Sequence, residues 1–144
     1  MIVYTVGTFD MLHVGHLRLL EHCQKLGSVV AVGVASDRVV HSYKPNKPVI
    51  PLEQRMQMLR ALRCVDIVIP YYDLEYVSGC RTGAADIFVV GEDWGTKAHN
   101  LAVEAYLMDQ GSEIVKVQYD LRTSSTQIKQ TVMAQPARKL AVAV

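Results

Sequence analysis

Short β-branched runs alternate with amphipathic stretches along nearly the whole chain, and this alternation constrains the fold more than any other feature. The apolar runs are Ile2 to Val6, Ser28 to Ala35, Val65 to Ile69, Asp86 to Val90 and Glu113 to Tyr119. They are too continuous to be half-exposed strands, so each reads as a strand buried on both faces. The stretches between them carry a helical period. Leu17, Leu20, Cys23 and Leu26 line one face, and Gly27 stops that helix. Pro51 opens a helix from Leu52 to Arg63 with Leu52, Met56, Leu59 and Leu62 on one stripe. His99 to Gln110 places Leu101, Ala105 and Met108 together, and Gly111 follows. A last helix runs to Ala134, with Ser124 and Gln127 spaced as a capping box. A short helix is expected at Leu74 to Cys80. Arg38 to Val49 has no clear period, and its Lys44-Pro45-Asn46-Lys47-Pro48 reads as an exposed loop. Pro70 is expected to end the third strand. The whole predicts an α/β domain with a parallel sheet covered on both faces. In such a sheet ligands bind beyond the C-terminal strand ends, near the point where strand order reverses.

The 144 residues suit one domain, 1–135, followed by a short tail, 136–144, ending in the apolar Leu140 to Val144. Net charge is +1, so bulk charge implies neither a nucleic-acid nor an anionic-membrane partner. No apolar run approaches the ~20 residues needed to span a bilayer, and no leader is expected. Cys23, Cys64 and Cys80 include no C-x-x-C pair, which suits reduced thiols in a cytoplasmic protein. Cys23 and Cys64 read as buried residues on helices.

The chemistry-bearing residues cluster after the predicted strands. Gly7-Thr8-Phe9-Asp10 leads into His13-Val14-Gly15-His16 at a strand–turn–helix corner. Such a corner aims free backbone N–H groups at an anion, and Gly15 allows close approach. Two histidines there can donate to a transferring phosphoryl group, or one can cap the helix while the other packs in the core. A metal site is not expected, because neither H-E-x-x-H nor a cysteine partner is present. Lys44 and Lys47 can close over a polyphosphate or simply face solvent. Arg55 beside the apolar stripe can fork onto a phosphate or snorkel at the surface. Arg122-Thr123-Ser124-Ser125-Thr126 forms a second anion corner. Gly91-Glu92-Asp93-Trp94 ends a strand where a base, a ribose or a substrate can sit. Two phosphate corners and a basic loop suit in-line transfer at a nucleotide phosphate.

Gly7-Thr8-Phe9-Asp10 with His13-Val14-Gly15-His16 resembles the signature of the cytidylyltransferase-like nucleotidyltransferases. Arg122-Thr123 with Ser124-Ser125-Thr126 resembles that family's second signature, R-T-x-G-I-S-T-T, in shortened form. Gly91 to Trp94 resembles the G-D-D-W of bacterial glycerol-3-phosphate cytidylyltransferases, whereas position 74 is Leu where those enzymes carry Trp. Lys47 to Met56 is instead similar to the R-P-V-x-P-L-E-Q-R-M of the nucleotidyltransferase domain of ADP-heptose synthesis enzymes. The resemblance implies a Rossmann-like α/β/α sandwich with a five-stranded parallel sheet, usually dimeric. It also implies that a phosphorylated acceptor attacks the α-phosphorus of an NTP, with Mg²⁺, and pyrophosphate leaves. Carried over, His13, His16, Lys44 and Arg122 are catalytic. Gly7, Thr8, Phe9, Gly15, Lys47, Gly91, Asp93, Thr123, Ser125 and Thr126 hold the nucleotide. Asp10, Lys44 and Arg55 meet the acceptor. The leading expectation is CTP with glycerol 3-phosphate. The alternatives are adenylyl or cytidylyl transfer to another acceptor, such as a sugar 1-phosphate, phosphoethanolamine-like or phosphonate compound, and a non-enzymatic nucleotide-binding regulatory module.

Overall fold

The computed structural model describes residues 1–118 and 124–136. Five strands, β1 (Ile2–Gly7), β2 (Val29–Ala35), β3 (Ile67–Tyr71), β4 (Ile87–Gly91) and β5 (Glu113–Val117), form one sheet in the order β3-β2-β1-β4-β5. Every neighbouring pair is parallel. Among the described residues six α-helices accompany them: α1 (Val14–Leu26), α2 (Asp37–Tyr43), α3 (Leu52–Arg60), α4 (Val77–Gly83), α5 (Leu101–Asp109) and α6 (Ser125–Ala134). The chain winds outward from β1 through β2 to β3, then returns to place β4 on the other side of β1. The order therefore reverses between β1 and β4, whose C-terminal residues are Gly7 and Gly91.

Alternation along the strands divides the interior into two layers, because successive side chains leave opposite faces of a sheet. Val3, Val30, Val32, Val34, Ile87 and Val89 pack with Leu20 and Cys23 of α1 and Met56 and Leu59 of α3. Tyr4, Ala31, Ala35, Phe88 and Val90 pack with Val39 and Val40 of α2, Cys80 of α4 and Val103 and Leu107 of α5. The expected sandwich is thus present, with both faces of the sheet covered. Helix α6 contributes no buried residue.

Several local expectations are corrected. The stretch after β2 is not irregular: Ser36 caps α2 by accepting from the Val39 N–H at 3.2 Å, and Val39 and Val40 are buried. Pro70 lies inside β3 rather than ending it, opposite Val34. It is accommodated because β3 is an edge strand, where a missing donor faces no neighbour. Helix α3 stops at Arg60, short of Arg63, and Cys64 lies on the turn beyond it. The short fourth helix starts at Val77 instead of Leu74, after Tyr76 in a left-handed conformation (φ 38°). Gly27 ends α1 in extended backbone; a Cβ there would come within 2.6 Å of the Met1 carbonyl, so close approach explains the glycine. All three cysteines are free and buried.

Candidate active site

The corner between β1 and α1 is held by its two histidines. His13 is the N-cap of α1, and its Nδ1 accepts from the Gly15 N–H at 3.0 Å. His16 reaches back, its Nδ1 accepting from the His13 N–H at 3.2 Å. This is a capping box built from imidazoles in place of the usual hydroxyl and carboxylate. The rings stack at 3.8 Å between centroids, and Phe9, 4% exposed, packs on His16 at 5.3 Å. An Nδ1 that accepts is unprotonated, so the neutral ring carries its proton on Nε2. Both residues are thereby fixed as neutral Nε2–H donors. Burial, helped by the neighbouring His13 and opposed by Asp10, lowers the His16 pKa to about 4. Burial lowers that of His13 as well. Capping thus occupies the Nδ1 of each ring and leaves its Nε2–H outside the cap. Phe9 (φ 52°) and Met11 (φ 48°) hold left-handed backbone, which costs free energy in residues other than glycine.

Asp10 and Arg55 are placed differently from expectation. Asp10 is 4% exposed, and its two carboxylate oxygens accept from the Val49 and Ile50 N–H groups at 2.8 and 2.9 Å. Lys129 lies 3.5 Å away, and the Ser125 hydroxyl donates to the Asp10 carbonyl at 2.7 Å. Asp10 therefore ties the corner to the 44–50 loop and to α6. Arg55 is 1% exposed. Its guanidinium donates to the Ile50, Thr8 and Ala35 carbonyls and pairs with Asp37. It is neither a surface snorkel nor aimed at a ligand; it joins the ends of β1 and β2 to the start of α3.

Nine of the expected residues line one open cavity of about 660 Å³: Gly7, Thr8, Phe9, Asp10, His16, Lys44, Lys47, Ser125 and Thr126. Lys129 completes the wall; it stands four residues after Ser125 and so on the same face of α6. Lys44 keeps contact with solvent, yet its pKa is lowered by partial burial and by Lys129 and Lys97, with Asp10 opposing. Crowded ammonium groups of this kind are a ready-made polyphosphate site. Gly15 lies in a separate basic cavity with Arg18, His22 and Lys116. Gly91 and Asp93 line a smaller cavity of about 170 Å³, which shares Val6, Gly7 and Tyr43 with the large one. Arg122 and Thr123 fall outside the described residues. Ser124 accepts from the Gln127 N–H at 3.1 Å, as the spacing predicts.

The sheet thus reverses between β1 and β4 where a histidine-capped helix and several lysines come together. The chain belongs to the cytidylyltransferase-like family, whose profile matches residues 4–131. It is 35% identical over 138 residues to the bifunctional protein HldE of Pectobacterium carotovorum and 36% identical over 132 residues to that of Yersinia pestis. These matches cover 95% and 91% of this chain but only 28% and 27% of the relatives, so the chain spans little more than a quarter of their length. Its fold is similar to the crystal structure of a lipopolysaccharide core biosynthesis protein from Thermoplasma volcanium, with a TM-score of 0.72 and 24% identity over 83% of this chain and 97% of that one. No described helix is long and apolar enough to cross a membrane.

Proposed function

We propose that the chain transfers AMP from ATP to a sugar 1-phosphate and releases pyrophosphate. The transfer step rests on one observation above all: neutral His16, Lys44, Lys47, Lys129 and the start of α6 face a single cavity beside the His13–His16 corner. An acceptor phosphate oxygen forms the new bond to the α-phosphorus, and the bond from that phosphorus to the bridging oxygen of pyrophosphate breaks. Nε2–H donors match the charge that grows on the α-phosphate oxygens, and the lysines match the leaving pyrophosphate. Among the described residues no cluster of metal-ligating side chains stands ready, and the one carboxylate of the cavity, Asp10, is already bonded. Mg²⁺ fits this donor set as an ion carried by the triphosphate's own oxygens.

The choice of ATP and a sugar phosphate over CTP and glycerol 3-phosphate is supported by Lys47 to Met56, the stretch similar to ADP-heptose synthesis enzymes. Leu74 adds to it. This residue lines the smaller cavity, at the position where glycerol-phosphate enzymes carry the bulkier Trp. Identity of 35% to a bifunctional HldE protein across nearly the whole chain is in keeping with the same reading. Pyrophosphate release across a grid of ATP, CTP, GTP and UTP against hexose and heptose 1-phosphates and glycerol 3-phosphate is the test. ATP with a sugar 1-phosphate is expected to lead the grid. Preference for CTP with glycerol 3-phosphate would overturn the assignment of both substrates while leaving the reaction class in place.

A further inference from the structure

Helix α5 is apolar both on the side that packs and on the side that does not. From Leu101 to Asp109 it carries two acids, Glu104 and Asp109, and no cation. Val103 and Leu107, at 0% and 1% exposure, are buried in the layer that holds Phe88. The stripe that the sequence places together, Leu101, Ala105 and Met108, is instead on the outside. Leu101 is 63% and Met108 70% exposed, with Ala105 exposed between them. At about 100° per residue these three fall within roughly 60° of one another, opposite the buried pair. A helix that is apolar all round is ordinarily covered all round. Neither site cavity takes a residue from 101–109, so the nucleotide and the acceptor leave this face uncovered.

The two ends of α5 identify what covers it. Asp109 stands in the last turn with no basic residue there, so its carboxylate opposes the negative end of the helix dipole. The Gln110 amide donates to it at 3.3 Å, in solvent. At the other end neither Lys97 nor Asn100 caps the helix with its side chain, and the positive end of the dipole lies there. An antiparallel second copy of α5 satisfies both ends at once. With a two-fold axis beside Ala105, Leu101 of each copy meets Met108 of the other. Asp109 of each copy then lies beside the helix start of the other. Alanine at the axis lets the two backbones approach closely, and Glu104 stands off the face by roughly a quarter turn. The arrangement is self-complementary, as a two-fold contact has to be. A parallel pair would set Asp109 beside Asp109.

We propose that the outer face of α5 docks on the same face of a second copy of this chain, antiparallel about Ala105. The inference does not depend on the transfer reaction. A helix of nine residues spans about 13 Å, too little by itself for the ~800 Å² per partner of a stable interface, so the contact is weak and reversible.

Sedimentation equilibrium of the full chain from about 5 µM to about 1 mM is the test. The weight-average mass is expected to rise with concentration. Leu101→Glu and Met108→Lys each suit their own end of the helix dipole, so each keeps the fold, and each is expected to remove the concentration dependence. The double variant sets opposite charges across the contact and is expected to regain association that added salt weakens. Cys23, Cys64 and Cys80 are all buried, so Ala105→Cys supplies the accessible thiol. With oxidised glutathione it is expected to give a disulfide-linked dimer, whereas Gln24→Cys, exposed on α1, is not. A parent chain that stays monomeric to about 1 mM overturns the proposal. Association that Leu101→Glu and Met108→Lys leave unchanged overturns it too, by placing the contact elsewhere. A monomeric parent whose melting temperature falls by about 5 °C or more on Leu101→Glu overturns it in favour of the chain's own apolar segment, Leu140 to Val144.

Discussion

Replacing Arg55 by methionine separates a ligand-binding role from a structural one. The substitution keeps the aliphatic stem and removes a guanidinium whose side chain is fully buried. Three carbonyls, those of Ile50, Thr8 and Ala35, lose a charged donor. At roughly 1 kcal/mol for each stranded carbonyl, they contribute ~3 kcal/mol. The ion pair with Asp37 adds less than its geometry suggests, because the Asp37 side chain is 44% exposed and solvent screens it; ~0.5–1 kcal/mol is appropriate. The sum is ~4 kcal/mol, a large fraction of a stability that is typically ~5–15 kcal/mol. For a domain near this size ~4 kcal/mol lowers the melting temperature by ~10–15 °C. Arg55→Lys keeps the charge but not the fork, and is expected to lose somewhat more than half as much. Thermal melts followed by far-ultraviolet circular dichroism measure the first effect, and steady-state kinetics at 20 °C measure the second. The KM values of the folded fraction should move less than about threefold, a loss of under ~1 kcal/mol, because no Arg55 atom lines the cavity. A variant that melts within 2 °C of the parent but shows an acceptor KM raised ~10-fold or more would refute this reasoning and return Arg55 to the acceptor.

Two further perturbations follow from the same geometry. His16 has its pKa lowered to about 4 from an ordinary 6.5, so the unfolded chain takes up its proton first as pH falls. Stability is full above pH 6.5 and declines down to pH 4, by up to ~3 kcal/mol for this residue. His16→Ala should flatten that part of the pH dependence in urea melts and lower kcat by ~10²–10³-fold; an unchanged slope or unchanged turnover counts against the assignment. The Tyr4 hydroxyl is buried without a hydrogen-bond partner among the described residues, close against Gly33 and Gly79. Tyr4→Phe is expected to stabilise the fold by ~1 kcal/mol, and a variant less stable than the parent would show that the hydroxyl is bonded.

The strands were legible because β-branched apolar runs are a local signal, and β1, β2, β4 and β5 fall within two residues of their expected bounds. Helix α2 was not. It has only seven residues, and its two buried valines give no period to detect. Pro70 misled because an edge strand tolerates what a central strand does not, and edge position belongs to the sheet and not to the sequence around Pro70. At the site, His13 and His16 were readable as a pair because their spacing alone builds the capping box. Arg55 was not, since its partners are main-chain carbonyls, which have no signature in a sequence.

Asp10 gives the site a mechanical property. One carboxylate receives the 44–50 loop through two amides and α6 through Lys129, while its carbonyl receives Ser125. Helix α6 has no buried residue of its own to hold it against the sheet. The two arms flanking the large cavity are therefore not independent lids but the two ends of a single clasp. Both arms meet on this one residue, and neutralising its carboxylate loosens the loop and the Lys129 contact while leaving the Ser125 bond to the Asp10 carbonyl in place.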